Sequence, residues 1–215
     1  MDAAVGLVEV YLLANGYLTA TEYPIVEALA AGGYRTVTDI DVLAIRLPGA
    51  GRIVPVEGSD PSQEQRLFGP DPLLADDDAD ERLDFIIAEV KEGTAELNRG
   101  ARSEKALITA IRRFAFMEPG VAARVAHDLI AKGHAIVKEH HLRVRLFAFG
   151  SRKGDDARPP YRVVLFEQIL DYLVSVGRDH SAMRLAASMK NPTMNLLTIL
   201  GKAGYLGPRR GGGAR

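Results

Sequence analysis

The chain of 215 residues contains no cysteine and no tryptophan. Without cysteine it can build neither a disulfide staple nor a thiolate metal site, which fits a reducing compartment. It also lacks an excess of either charge: 27 basic residues against 28 acidic ones leave a formal net charge of −1. No global field therefore draws it to nucleic acid, and any grip on phosphates has to come from a local patch. No apolar run approaches the roughly 18 residues needed to cross a membrane. The stretch from Met1 to Glu9 has no basic segment ahead of its apolar part and carries an acid within it, so no signal peptide is expected and the expected location is cytoplasmic. Equally missing are a Gly-x-Ser-x-Gly elbow, a Gly-rich phosphate loop ending in Lys-Ser/Thr, His-Glu-x-x-His and a dinucleotide fingerprint. Serine hydrolase, NTPase, zinc protease and nicotinamide oxidoreductase readings fall with them.

What is present is the balance of an ordinary globular domain, 47% hydrophobic and 26% charged. The length suits one medium-sized core with a small appendage. Asp2 is placed to cap a helix that runs to Asn15 and stops at Gly16. Strands follow at 17–23 and 36–46, the second rich in β-branched residues and closed by Pro48-Gly49. Residues 48–82 read as a surface insertion holding one short strand near 52–56, and the acidic run from Asp76 to Glu81 inside it reads as a solvated loop. Leu83–Lys91 returns as a strand whose Phe85-Ile86-Ile87-Ala88 run is buried on both faces.

Ser103 can cap a helix carrying Leu107, Ile108, Ile111 and Phe114, and Pro119 opens another that ends near Gly133. Leu142–Phe149 alternates apolar and basic residues as a strand, and Arg162–Leu165 is one more. Helices are expected at 166–176, 181–190 and 192–203, and a mobile tail at 208–215. The class is α/β: a core over 1–165, with a mixed sheet flanked by helices, then a mostly helical extension over 166–207.

Strand periodicity brings the chemistry into view, because alternate residues share a face. Asp39 and Asp41 lie on one side of their strand with Val37, Leu43 and Ile45; Glu89 and Lys91 share a side with Phe85 and Ile87. Acids and a base so placed among apolar neighbours are costly unless paired or bound to a cation. In the first helix Glu9 falls within the stripe of Val5, Val8, Leu12 and Leu13, a position where a lone carboxylate is unusual.

The order of these elements resembles the PD-(D/E)xK nuclease superfamily, which includes restriction endonucleases and Holliday-junction resolvases. The matching residues are the helix with Gly6-Leu7-Val8-Glu9, the strand Thr38-Asp39-Ile40-Asp41-Val42-Leu43-Ala44, and Phe85-Ile86-Ile87-Ala88-Glu89-Val90-Lys91. The resemblance spans about 2–150 and implies an αβββαβ core of restriction-endonuclease type. It further implies that Asp41 and Glu89 bind Mg²⁺ or Mn²⁺, with the Val90 carbonyl and Glu9 as supporting ligands, and that Lys91 orients or activates the attacking water. Hard oxygen donors suit such ions, which polarise a phosphoryl oxygen. The implied activity is phosphodiester hydrolysis in DNA, with RNA also open and a homodimer suited to cutting both strands. The alternative is a nuclease-fold module that has lost catalysis and only binds nucleic acid or protein.

The chain departs from the family in lacking the proline before its first acid and in the length of the insertion between Asp41 and Glu89. Arg99, Arg102, Lys105, Arg112 and Arg113 follow the Glu-x-Lys strand and are candidates for phosphate contacts. His140-His141 reads as strand, which would turn the two rings to opposite faces and away from a shared ion.

Overall fold

The computed structural model describes residues 2–50, 53–55, 64–66, 71–75, 82–114, 117–156, 158–179 and 191–204. Helix α1 (Ala3–Ala14) starts where Asp2 Oδ1 accepts from the Ala4 N–H at 2.8 Å and ends at Asn15-Gly16, with Gly16 at φ 84°. Strands β1 (Leu18–Ala28) and β2 (Tyr34–Arg46) form an antiparallel hairpin longer than its apolar pattern foretells. A small hairpin, β3 (Ile53–Pro55) with β4 (Glu64–Arg66), stands in the insertion. Then come β5 (Leu83–Ala95), α2 (Glu104–Phe114), α3 (Pro119–Lys132), β6 (His134–Val137), β7 (Leu142–Lys153), β8 (Arg162–Leu165), α4 (Phe166–Asp179) and α5 (Pro192–Lys202). The helix expected at 181–190 and the tail at 208–215 lie outside the described residues.

The main sheet is mixed and six-stranded. Its order is β1-β2-β5-β7-β6, antiparallel through β1, β2 and β5, parallel from β5 to β7, with β8 parallel to β7. Strands β6 and β8 use the same edge of β7 in succession: β6 pairs Leu142–Arg145 and β8 pairs Phe147–Gly150. Strand β6 was not foreseen, because four residues, His134-Ala135-Ile136-Val137, are too short a run to show a period.

Each sheet face carries its own core. Leu43, Phe85, Ile87, Val144 and Leu146 pack under α2 and α3 with Leu107, Ile111, Val125 and Leu129. On the other side Val42, Ala44, Ile86, Ala88, Phe147 and Phe149 meet α1 and α4. Helix α1 is buried nearly all round, at Ala4, Val5, Val8, Val10, Tyr11, Leu12 and Ala14, since the sheet covers one side and α4 and α5 the other. The end of the insertion is not at the surface: Leu74 is fully buried, the Asp71 N–H donates to Asn15 Oδ1 at 2.7 Å, and Tyr11 donates to Asp71 Oδ2 at 2.9 Å. The histidine pair is not on a strand either. His140 ends a 3-10 turn, Lys138–His140, and His141 is left-handed at φ 46°.

Gly133 closes α3 in the left-handed region at φ 75°, and a Cβ there would lie 1.6 Å from the Pro160 carbonyl oxygen. Gly133→Ala is therefore expected to cost at least about 2 kcal/mol, read as a lower denaturant midpoint at unchanged slope. Among the described residues no helix is long and apolar enough to cross a membrane.

Candidate active site

Three features of the chain converge where β2 and β5 part. The two strands are paired from Arg46↔Asp84 to Val42↔Ala88, and no pair follows. One step further on, the side chain of Asp41 takes over: its Oδ2 accepts from the Val90 N–H at 2.7 Å. In an extended strand the N–H and C=O of one residue lie on the same edge, so the Val90 carbonyl faces the same opening. Glu89 alternates with Phe85 and Ile87 and is 1% exposed. Lys91, two residues on, stands at the rim.

Lys91 Nζ lies 2.5 Å from Glu89 Oε1 and 4.0 Å from Asp41 Oδ2. Glu89 Oε1 accepts a second hydrogen bond, also 2.5 Å, from Asn98 Nδ2. Glu89 Oε2 is buried and has no hydrogen-bond partner among the described residues. Burial and, more weakly, the Asp41 charge raise the Glu89 carboxyl above the usual carboxylate range despite the Lys91 and Asn98 bonds. Burial pulls Lys91 down, but the Glu89 hydrogen bond and the charges of Glu89, Asp41 and Glu96 outweigh it, leaving the ammonium above its ordinary value. Lys91 is thus a cation beside the two carboxylates, suited to stabilising negative charge.

Asn98 was not picked out from the sequence. It arrives because β5 bulges after Lys91: Lys91 pairs Gly150 but Thr94 pairs Arg152, one extra residue in β5. Past the strand the chain turns back, with Asn98 Oδ1 accepting from the Ala101 N–H at 2.7 Å. Gly100 permits the close approach of this turn to β2, since a Cβ there would meet Thr38 Oγ1 at 2.6 Å. The only sequence signal is Asn-Arg-Gly just ahead of the Ser103 cap, which marks a turn; the Ser103 cap itself forms, with Oγ accepting from the Ala106 N–H at 3.2 Å.

The other expected residues stand elsewhere. Glu9 sits on α1, which packs on the sheet face opposite to that of Phe85 and Ile87. Its Oε1 accepts from Thr19 Oγ1 at 3.4 Å and its Oε2 from Asn191 Nδ2 at 3.1 Å. Asn191 also caps α5 through Oδ1, 2.9 Å from the Thr193 N–H, so Glu9 ties the last described helix to the first. Asp39 is exposed on β2. Lys105 and Arg35 both pair with Glu27, and Arg102 stacks 6.0 Å from the Tyr161 ring centroid. Arg99, Arg112 and Arg113 are exposed.

Among the described residues no group of three or more His, Asp or Glu side chains comes together. A cation here would rest on Asp41, Glu89, the Val90 carbonyl and water, a donor set that suits Mg²⁺, which commonly takes one or two carboxylates and keeps several waters. The buried, unmatched Glu89 Oε2 is the atom such an ion would satisfy. No protein-family model, no curated protein and no solved structure matches the chain.

Proposed function

We propose that the chain is a metal-dependent nuclease of the PD-(D/E)xK class, hydrolysing phosphodiester bonds in DNA on a restriction-endonuclease-like core. The observation that carries this reading is the meeting of Asp41, Glu89 and Lys91 at the parting of β2 and β5, with Glu89 Oε2 buried and unmatched. The order α1, β1, β2, β5, α2, β7, with β5 and β7 parallel, supports it.

Asp41 and Glu89 would hold Mg²⁺ or Mn²⁺, which supplies a polarised phosphoryl oxygen and an activated water. The residues of the chain then have separate tasks. The Val90 N–H fixes the Asp41 rotamer, and Asn98 fixes that of Glu89. Lys91, beside both carboxylates at the rim, would offer its charge to the phosphate oxygens, where negative charge gathers in the transition state.

The test is cleavage of linear, circular, single-stranded and branched DNA with Mg²⁺ or Mn²⁺. Metal-dependent cleavage that falls by about 10²–10⁴-fold in Lys91→Ala, and that disappears in Asp41→Ala together with metal binding by calorimetry, is the expected result. A second reading has its own observation: Lys91 of the chain itself pairs with Glu89 Oε1, as in a nuclease-fold module that only binds. Wild-type protein that neither cleaves nor binds metal would favour that module and overturn the first reading.

A further inference from the structure

The second concave feature of the molecule is far from the carboxylates. Between the ends of β6 and β8, which follow one another along the same edge of β7, lies a cavity of about 480 Å³ lined by Arg82, Lys132, His134, Arg143, Arg145 and Arg162 among others. Arg143 and Arg145 alternate with Phe147 and Phe149 and so lie on the α1 and α4 side of the sheet, opposite to Glu89. Measured along β5, Asp84 stands seven residues from Lys91, roughly 23 Å at strand rise. The cavity is therefore separate from the candidate active site.

We infer that this cavity binds a terminal phosphate group, that of a free nucleotide-sized molecule or of a nucleic-acid end. Its described lining contains no carboxylate, while its cationic side chains come from the approach to β5, the end of α3, and strands β6, β7 and β8, so they surround a ligand from several sides. Two of them are rigid. Arg143 and Arg145 are 6% and 2% exposed, both Nε groups donate to Asp84 Oδ1 at 3.1 Å, and Arg145 Nη2 also donates to Tyr17 Oη at 3.0 Å and the Leu74 carbonyl at 3.2 Å. Guanidiniums fixed in advance lose little side-chain entropy on meeting an oxyanion, and their planar donor forks match phosphate geometry. The rim adds exposed cations: Lys132, paired with Asp128 at 2.8 Å, and Arg162, whose Nη1 donates to the Leu73 carbonyl at 3.2 Å. His134, which also lines the cavity, is held by its Nδ1 donating to the Lys132 carbonyl at 3.2 Å. A dianionic phosphomonoester, with three oxygens to share, fits so many donors better than a backbone diester does. The volume is in the range that holds a small molecule, about 300–1,000 Å³.

The test is calorimetry on the whole chain at low salt, where charge-assisted binding is screened least. The probes are inorganic phosphate, a nucleoside 5′-monophosphate beside its nucleoside, and a 5′-phosphorylated oligonucleotide beside its 5′-hydroxyl twin. Saturable binding of one phosphate is expected, lost in the unphosphorylated probes. Arg162→Ala and Lys132→Ala, both at exposed positions, are each expected to weaken it by roughly tenfold to a hundredfold, the worth of one charge-assisted hydrogen bond, while Lys153→Ala leaves it unchanged. Tighter binding of the mononucleotide or of the oligonucleotide end would name the source of the phosphate. No saturable phosphate binding, or wild-type affinity in both rim variants, would overturn the proposal.

Discussion

Asp84→Ala is expected to lower the unfolding free energy by about 3–5 kcal/mol, a fall in melting temperature of roughly 6–20 °C for a chain of this size. Asp84 is fully buried on β5 and is the carboxylate against which Arg143, Arg145 and Tyr17 are arranged, with Tyr17 Oη 2.5 Å from its Oδ2. Arg46, 2% exposed, lies over the Tyr17 ring at 5.3 Å. Deleting the one acid leaves buried guanidiniums facing each other, and this cost, more than the lost pair attraction, sets the magnitude. Replacing Asp84, Arg143 and Arg145 together by apolar residues of similar volume should therefore be milder than the single change. Burial alone would raise the Asp84 carboxyl, but the charges of Arg145 and Arg143 and the hydrogen bonds from Arg143 and Tyr17 hold it below its ordinary value of 3.8. Its folded value being depressed, its contribution is present above the unfolded value and is lost as pH falls through the folded one. Wild type and Asp84→Ala should accordingly converge in strong acid. A difference below about 1 kcal/mol at pH 7 would mean that water reaches these arginines.

The same cluster shows what the sequence hides. Leu142-Arg143-Val144-Arg145-Leu146 alternates apolar and basic residues, which reads as a strand. The strand is correct, but its arginines are 6% and 2% exposed: both turn to Asp84, Arg145 also to the Leu74 carbonyl, and only the cavity beside them stays open. That burial depends on contacts between residues 59 and 71 positions apart, which no local pattern encodes. The candidate site was more legible. Asp41, Glu89 and Lys91 lie on long strands whose period of two fixes facing before any tertiary contact is known, and the β2–β5 register then sets Asp41 beside Val90. Asn98 escaped because its approach needs both the bulge after Lys91 and the turn at Gly100. Glu9 was read as an inward acid on an amphipathic helix, but α1 is covered on both sides, so facing inward did not mean facing the carboxylates.

Glu89→Gln is expected to abolish metal binding and reduce any cleavage by more than about 10³-fold, and at the same time to stabilise the metal-free protein by about 1 kcal/mol, roughly 2–4 °C in melting temperature. The two effects have one origin. Glu89 is 1% exposed, one of its oxygens meets no donor among the described residues, and burial leaves its carboxyl raised. Because the folded value lies above the unfolded one, the stability that the protonated form brings is complete below the unfolded value and is lost as pH rises through the folded value. Ionisation of Glu89 therefore works against the fold, whereas glutamine keeps the neutral shape and the acceptor that Lys91 and Asn98 use. The gap between variant and wild type should open as pH rises through the folded Glu89 value and be small at the acid end, as thermal unfolding at a series of pH values would record. Added Mg²⁺ should narrow it by stabilising the wild type alone. A Glu89→Gln protein that is less stable than wild type at pH 7 would mean that the Lys91 ion pair repays the burial of Glu89, and that this carboxylate is held for the fold instead of for a cation.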